Sequence, residues 1–309
     1  MSSWTDNFEE LLDLLLSLPV SEFGIFFEAD MDMQLSGMED QFRKKLLGRL
    51  KESWRFRQSC CPFIRVPQKR CEACEQSVTC LFRMLYDPKA IRPFVSAFRS
   101  PEIRQHQTDT ISITLFGYAA ASDHRNIIVE EAASALSVLP DIYVREILAD
   151  DPGFQQSPIR DRITLPAYRQ DSVTLRFVTP VKLIHRTAIT AENISFPVLI
   201  ACILGRLKDL NKDLNHAVDI REIWETERIV RDRLSEIAGN VRVAGNNLRQ
   251  SGLKVYSARQ QKYVHLDGLI GEICFSGPIY PFYPLLRAAE IVHIGKKTAY
   301  GNGRVVVIE

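Results

Sequence analysis

The first forty residues contain no lysine or arginine, against ten acids: Asp6, Glu9, Glu10, Asp13, Glu22, Glu28, Asp30, Asp32, Glu39 and Asp40. A secretory signal peptide needs a positive leading region and a cleavage site, so this start does not read as one. Long hydrophobic runs are also missing. The longest apolar stretches, such as Phe196–Leu204, fall far short of the roughly 20 residues that cross a bilayer. A cytoplasmic chain with no membrane partner is therefore expected. Histidine is scarce, with 6 in total and none before His106. Cysteine is not spread as a disulfide scaffold would spread it: five of the 7 fall between Cys60 and Cys80.

What is present is an ordinary globular balance, with 46% hydrophobic and 25% charged residues over 309 positions. Domains usually run about 100–200 residues, which makes two domains the expectation. The formal net charge of +1 conceals segregation along the chain. Residues 241–309 carry nine bases (Arg242, Arg249, Lys254, Arg259, Lys262, Arg287, Lys296, Lys297, Arg304) against four acids (Asp267, Glu272, Glu290, Glu309). Total charge says nothing about partners, whereas its distribution permits a local anionic ligand such as RNA.

Hydrophobic periodicity divides the first half into a short acidic helix (Phe8–Leu18), a strand (Glu22–Ala29) and a basic amphipathic helix (Met38–Trp54). The cysteine cluster and a proline-punctuated segment (Pro88–Pro101) follow, then a strand (Thr110–Tyr118), a helix (Asn126–Leu139) and a strand (Tyr143–Ala149). After the polar stretch Asp150–Gln170, the second half reads as a strand (Ser172–Thr179), helices (Phe196–Leu214 and Arg221–Ala238), strands (Lys254–Ala258 and Leu266–Ser276), a helix (Pro281–His293) and a last strand (Arg304–Glu309). This order is that of the ferredoxin-like split βαβ. The expected fold is α+β: two tandem ferredoxin-like domains, residues 1–155 and 170–309, with a cysteine-rich insertion at about 56–100 in the first.

The sharpest local feature lies between the last helix and the last strand: Gly295-Lys-Lys-Thr-Ala-Tyr-Gly301-Asn-Gly303-Arg304. Glycine lets backbone amides approach a ligand, and Lys296, Lys297 and Arg304 add charge suited to phosphate. A Walker A loop is excluded, because it places Lys and Ser or Thr after its last glycine and ahead of a helix. A helix cap at Gly295 followed by a tight turn into an edge strand accounts for the glycines equally well.

The neighbouring residues point further. Val255-Tyr-Ser-Ala-Arg-Gln260, Leu269-Ile-Gly-Glu-Ile273 and His293-Ile-Gly-Lys-Lys-Thr-Ala-Tyr-Gly-Asn-Gly303 occur in that order, preceded by Leu175–Pro180 (LRFVTP). Together they resemble the C-terminal half of the CRISPR repeat-cleaving endoribonucleases, the sixth Cas family of the RAMP superfamily (repeat-associated mysterious proteins). Cys71-x-x-Cys74, Cys80–Asp87 and Ile113–Tyr118 resemble the long subgroup with a cysteine-bearing insertion. The resemblance implies an endoribonuclease binding the repeat of a precursor CRISPR transcript through Gly295, Lys296, Lys297, Gly301, Gly303, Arg304 and Arg259. It departs at two places: His293 stands where the family often has a glycine, and Phe42–Gly48 replaces a glycine-richer motif.

Cys71-x2-Cys74-x5-Cys80, with Cys60 or Cys61 upstream, supplies four thiolates. Tetrahedral Zn²⁺ suits such a set, with Cys61, Cys71, Cys74 and Cys80 taken as ligands. An iron–sulfur cluster would accept the same donors, and unlinked thiols are the bland alternative. The expected role is structural, tying together an insertion with little core of its own.

The resemblance also implies cleavage without a metal: the 2′-hydroxyl of the RNA attacks the adjacent phosphate, leaving a 2′,3′-cyclic phosphate and a 5′-hydroxyl. Such a reaction uses a base, an acid and a cation, and histidine suits the first two. The family takes its histidine from the N-terminal domain, where this chain has none before His106. Of His106, His124, His185, His216, His265 and His293, we take His185 as the candidate, since Lys182 and Arg186 flank it. A surface or capping role is the competing assignment for each, and Tyr256 and Tyr300 are further candidates. Two other functions fit the sequence: a crRNA-binding subunit that does not cut, and an assembly subunit contacting other Cas proteins.

Overall fold

The computed structural model describes residues 4–35, 38–53, 55, 80–86, 90–120, 122–148, 156–252, 254–257, 262–265 and 267–308. The chain forms two compact units: Pro19–Ser157 with Asp213–Asn215, and Met1–Leu18 with Pro158–Lys212 and His216–Glu309.

In the first of these, β1 (Pro19–Ala29), α2 (Met38–Glu52), α3 (Leu81–Tyr86), β2 (Phe94–Phe98), β3 (Thr108–Phe116), α4 (Ser122–Ser137) and β4 (Ile142–Leu148) follow in sequence. The helix ahead of them, α1 (Trp4–Leu16), belongs to the other unit. The strands pair antiparallel in the order β2-β3-β1-β4, the arrangement of a ferredoxin-like sheet. Alternation along β1 sends Phe23, Ile25, Phe27 and Ala29 into the core. There they join Phe42, Leu46 and Leu50, four residues apart on α2, and Ala132, Ala135 and Leu136 of α4. Each fully buried large side chain contributes about 1.5–3 kcal/mol, so this face accounts for why the helices fold onto the sheet.

β2 lies in the span, up to residue 100, that the sequence pattern groups with the insertion. Its five residues are all buried, and it pairs with β3 from Phe94↔Leu115 to Phe98↔Ile111. Pro93 and Pro101 flank it, and the Pro93 carbonyl accepts from Phe116 N–H at 2.8 Å, which a proline on an edge strand can do. With β2 in place, the first unit has the four-stranded order that the sequence pattern alone left incomplete.

The second unit contains β5 (Ser172–Val181), α5 (Phe196–Leu214), α6 (Ile220–Gly239), β6 (Arg242–Asn246), β7 (Arg249–Ser251), the hairpin β8 (Lys254–Ser257) and β9 (Lys262–His265), then β10 (Gly268–Ser276), α7 (Tyr283–Val292) and β11 (Val305–Ile308). Its sheet runs β6-β10-β5-β11, with β7 also on β10, again antiparallel throughout. The sequence pattern assigned the second strand to Lys254–Ala258. The structure instead fills that place with β6 and β7, while among the described residues β8 and β9 pair only with each other. Phe196 meets Phe275 and Phe282 edge-on at 5.1 and 5.2 Å. α1 packs here too: Phe8 lies 6.5 Å from Phe282, and the buried Asn211 amide donates to the Leu15 carbonyl at 2.9 Å.

Candidate nucleic-acid interface

α7 ends at Val292, and its last carbonyl accepts from both Nε and Nη2 of Arg206, each at 3.3 Å. A cation at a helix C-terminus satisfies an orphan carbonyl and opposes the helix dipole. The chain then turns at His293 with φ 52° and ψ 155°. Gly295, Lys297, Gly301 and Gly303 follow with φ of 84°, 64°, 87° and 87°. Two of these glycines are obligatory by contact as well as by backbone angle. A side chain at Gly295 would strike the Lys182 carbonyl, and one at Gly303 would strike the backbone of Ile294.

Those close approaches are the loop's fastenings. Ile294 N–H donates to the Gly303 carbonyl at 2.9 Å and closes the loop on itself. Lys296 N–H donates to the Lys182 carbonyl at 2.9 Å, and Gly303 N–H to the Pro180 carbonyl at 3.0 Å. Arg304 N–H reaches Thr179 Oγ1 at 3.0 Å. The loop is thus pinned to the end of β5 and enters the edge strand β11. The helix cap falls at His293 rather than at the expected Gly295, and the loop that follows carries Lys296, Lys297 and Arg304 on a backbone fastened to β5.

The electrostatics are cationic with one embedded acid. Lys182 Nζ pairs with Asp267 at 2.9 Å. Burial and the neighbouring charge of Lys182 hold the Lys297 ammonium below the usual lysine value, while Asp267 partly offsets them. Asp267 itself is held low: burial pushes against ionisation, but the hydrogen bond and charge of Lys182 outweigh it. Beneath the loop, His293 is 4% exposed. Its pKa falls to about 3 because of burial first, then the charges of Arg304 and Arg206, opposed by a hydrogen bond to the Asn302 backbone. Nδ1 carries no hydrogen-bond partner. His293 is a neutral, enclosed group and is not placed to shuttle protons.

His185 stands on a two-residue ribbon, paired with Thr187 across a turn at Arg186, and is exposed. The ribbon and the loop share a neighbour in Cys202, whose Sγ lies 3.9 Å from the Ile184 carbonyl. Burial raises the Cys202 thiol pKa, while that carbonyl contact and the charge of Lys296 pull it back. Lys182, Lys296, Lys297 and Arg304 thus belong to one region of the second unit, and His185 follows Lys182 on the exposed ribbon. Arg259 lies outside the described residues, as do Cys61, Cys71 and Cys74. Cys80 is half-buried immediately before α3. Among the described residues no group of three or more His, Cys, Asp or Glu could hold a metal ion. In the first unit, His106 Nδ1 is 3.5 Å from Glu28, which Arg145 also holds at 2.6 Å. Asp267, Thr179 and Asn302 escaped the sequence reading, because nothing in their spacing marks them as loop supports.

Comparison with known proteins finds similarity within the second unit. Residues 175–305 match the family of the CRISPR-associated endoribonuclease Cas6. Those residues are similar to that family. That match runs from β5 through the whole glycine loop to the first residue of β11. Thermus thermophilus Cas6 superposes with a TM-score of 0.54 at 13% identity, covering 94% of this chain and 99% of that one. A Cas6 product complex gives 0.55 at 16% identity, covering 94% and 100%. A partial Cas6-RT-Cas1–Cas2 complex gives 0.53 at 11%, covering 94% of this chain and 46% of the other. No curated protein matches the sequence. The Cas6-like fold therefore extends over nearly the entire chain, with both ferredoxin-like units included. Among the described residues, no helix is long and apolar enough to cross a membrane.

Proposed function

We propose that this chain binds CRISPR repeat RNA and cuts the precursor transcript endonucleolytically, acting as a processing endoribonuclease. The observation that carries the proposal is the pinned glycine loop, which fixes Lys296, Lys297 and Arg304 on a segment matched to the Cas6 family. Fixed cations suit a phosphodiester because the ordering cost has been met before the RNA arrives. In this reading Lys296, Lys297 and Arg304 neutralise backbone phosphates, and Gly295, Gly301 and Gly303 give the close approach. His185 moves a proton to or from the reacting ribose-phosphate, with Lys182 and Arg186 beside it, and Arg259 adds a further cation to the RNA path. The 2′-hydroxyl displaces the 5′-oxygen, so the products carry a 2′,3′-cyclic phosphate and a 5′-hydroxyl.

Zinc bound by Cys61, Cys71, Cys74 and Cys80 is proposed as a structural staple for the insertion. Four cysteines within that span are a suitable donor set, and no catalytic step is assigned to the metal. Other Cas subunits are proposed as partners, in keeping with the likeness of this chain to part of one chain of a Cas6-RT-Cas1–Cas2 complex. A second reading, a crRNA-binding or assembly subunit that does not cut, is favoured by the lack of any histidine before His106. Single-turnover incubation with repeat RNA in EDTA, with end-group analysis, separates the two. Cyclic-phosphate products are expected; tight binding with intact RNA would reject the enzyme.

A further inference from the structure

His293 occupies a backbone conformation that suits glycine. With φ 52° and ψ 155° it lies beside the region that residues with a Cβ rarely enter. It is nevertheless a large side chain, buried to 4% exposure at the hinge between α7 and the loop. Strain of this kind persists only where surrounding structure enforces it, and it gathers at sites of function. The ring's surroundings show what it does there. One ring nitrogen bonds the backbone of Asn302, within the last turn of the loop, while Nδ1 is left without a partner. Because the bond to that backbone favours the protonated ring, its acceptor is the Asn302 carbonyl, and the donor is Nε2–H. The imidazole thus spans the loop from its first residue to its penultimate glycine pair, Gly301 and Gly303. It also lies next to Arg304, whose charge it feels, and next to Arg206, which caps α7.

We infer that His293 is a positioning residue for RNA binding: a buried imidazole bracing the loop from beneath, so that Lys296, Lys297 and Arg304 stay in register with phosphates. This rests on the proposed RNA-binding function and assigns that function a residue which touches no RNA. A glycine here would satisfy the backbone better, yet it would leave the Asn302 carbonyl without its donor and the loop without its strut.

The test compares the full chain with His293→Gly and His293→Leu. The first relieves the backbone and removes the ring. The second keeps bulk and strain but cannot donate to Asn302. Each is first checked for an unfolding transition as cooperative as that of the unaltered chain, and then titrated against a trace of repeat RNA in binding and single-turnover cleavage. We expect both variants to reach half-saturation at about ten-fold higher protein concentration, with the loss falling there far more than in the saturated rate. His293→Asn, which retains an amide donor, should recover part of the affinity. If a folded His293→Gly or His293→Leu binds RNA as the unaltered chain does, the inference is overturned and the histidine is filler. If the unaltered chain itself fails to bind repeat RNA, the functional proposal fails instead.

Discussion

Acidification should destabilise this protein through His293 before its carboxylates begin to titrate. The ring is held neutral in the folded chain, with a pKa near 3, while in the unfolded chain it returns to about 6.5. Below pH 6.5 the unfolded state therefore binds a proton that the native state refuses. The sign follows directly: the contribution is complete above about pH 7.5 and is lost as pH falls through 6.5 toward 3. Its limiting slope is about 1.4 kcal/mol per pH unit. Between pH 7.5 and 5.0 the loss comes to about 2 kcal/mol, and it is insensitive to the native value so long as that lies below 4. The charges of Arg304 and Arg206 act on the ring, the Asn302 backbone bonds it, and Asp209 acts on Arg206. Urea unfolding midpoints over this pH range, for the unaltered chain and His293→Gly, isolate the effect. The other histidines are common to both proteins and cancel in the difference. Glu28, Asp219 and Asp267, held low by Arg145, Arg221 and Lys182, lose their contributions at lower pH. Parallel curves for the two proteins between pH 7.5 and 5.0 would refute the assignment of a buried neutral histidine.

Gly303→Ala should lower stability by about 1–3 kcal/mol and weaken RNA binding, because φ 87° and the Ile294 backbone both oppose a Cβ. Gly48→Ala is its control: α2 has open space at that point, and unfolding midpoints should rise by about 0.5–1 kcal/mol. RNA affinity should fall on alkalinisation at a pH below the ordinary lysine value of 10.5, since burial and Lys182 depress Lys297. Lys297→Arg should remove that dependence in a binding titration. Metal analysis of the purified chain should find about one zinc per molecule, and Cys71→Ser with Cys74→Ser should abolish it; zinc retained by the double variant would contradict the proposed ligand set.

How much of this was legible beforehand depends on how each element announces itself. Phe196–Leu214 emerges with the bounds read from its periodicity, and β1, β3, β5 and β10 were marked by alternation or β-branched runs. β2 is buried at every position, so it has no alternation, and its prolines imitate a loop. β6 is the opposite case: all five of its residues are exposed, and an edge strand without a buried face has no hydrophobic signature. α1 was read as a helix, but periodicity does not say which partner its leucines meet, and Phe8 meets Phe282 from the far end of the chain. At the candidate site, the glycines and cations were evident from spacing. Their supports, Thr179, the Lys182–Asp267 pair and the His293–Asn302 bond, join residues separated in sequence or ordinary in type.

The most direct test of the account measures repeat-RNA affinity as a function of salt for the unaltered chain and for Lys296→Ala/Lys297→Ala/Arg304→Ala. Three fewer phosphate contacts on single-stranded RNA should reduce the slope of log affinity against log salt by about 2, with a large loss of affinity at low salt. An unchanged slope and affinity in the folded triple variant would contradict the claim that this loop holds the RNA.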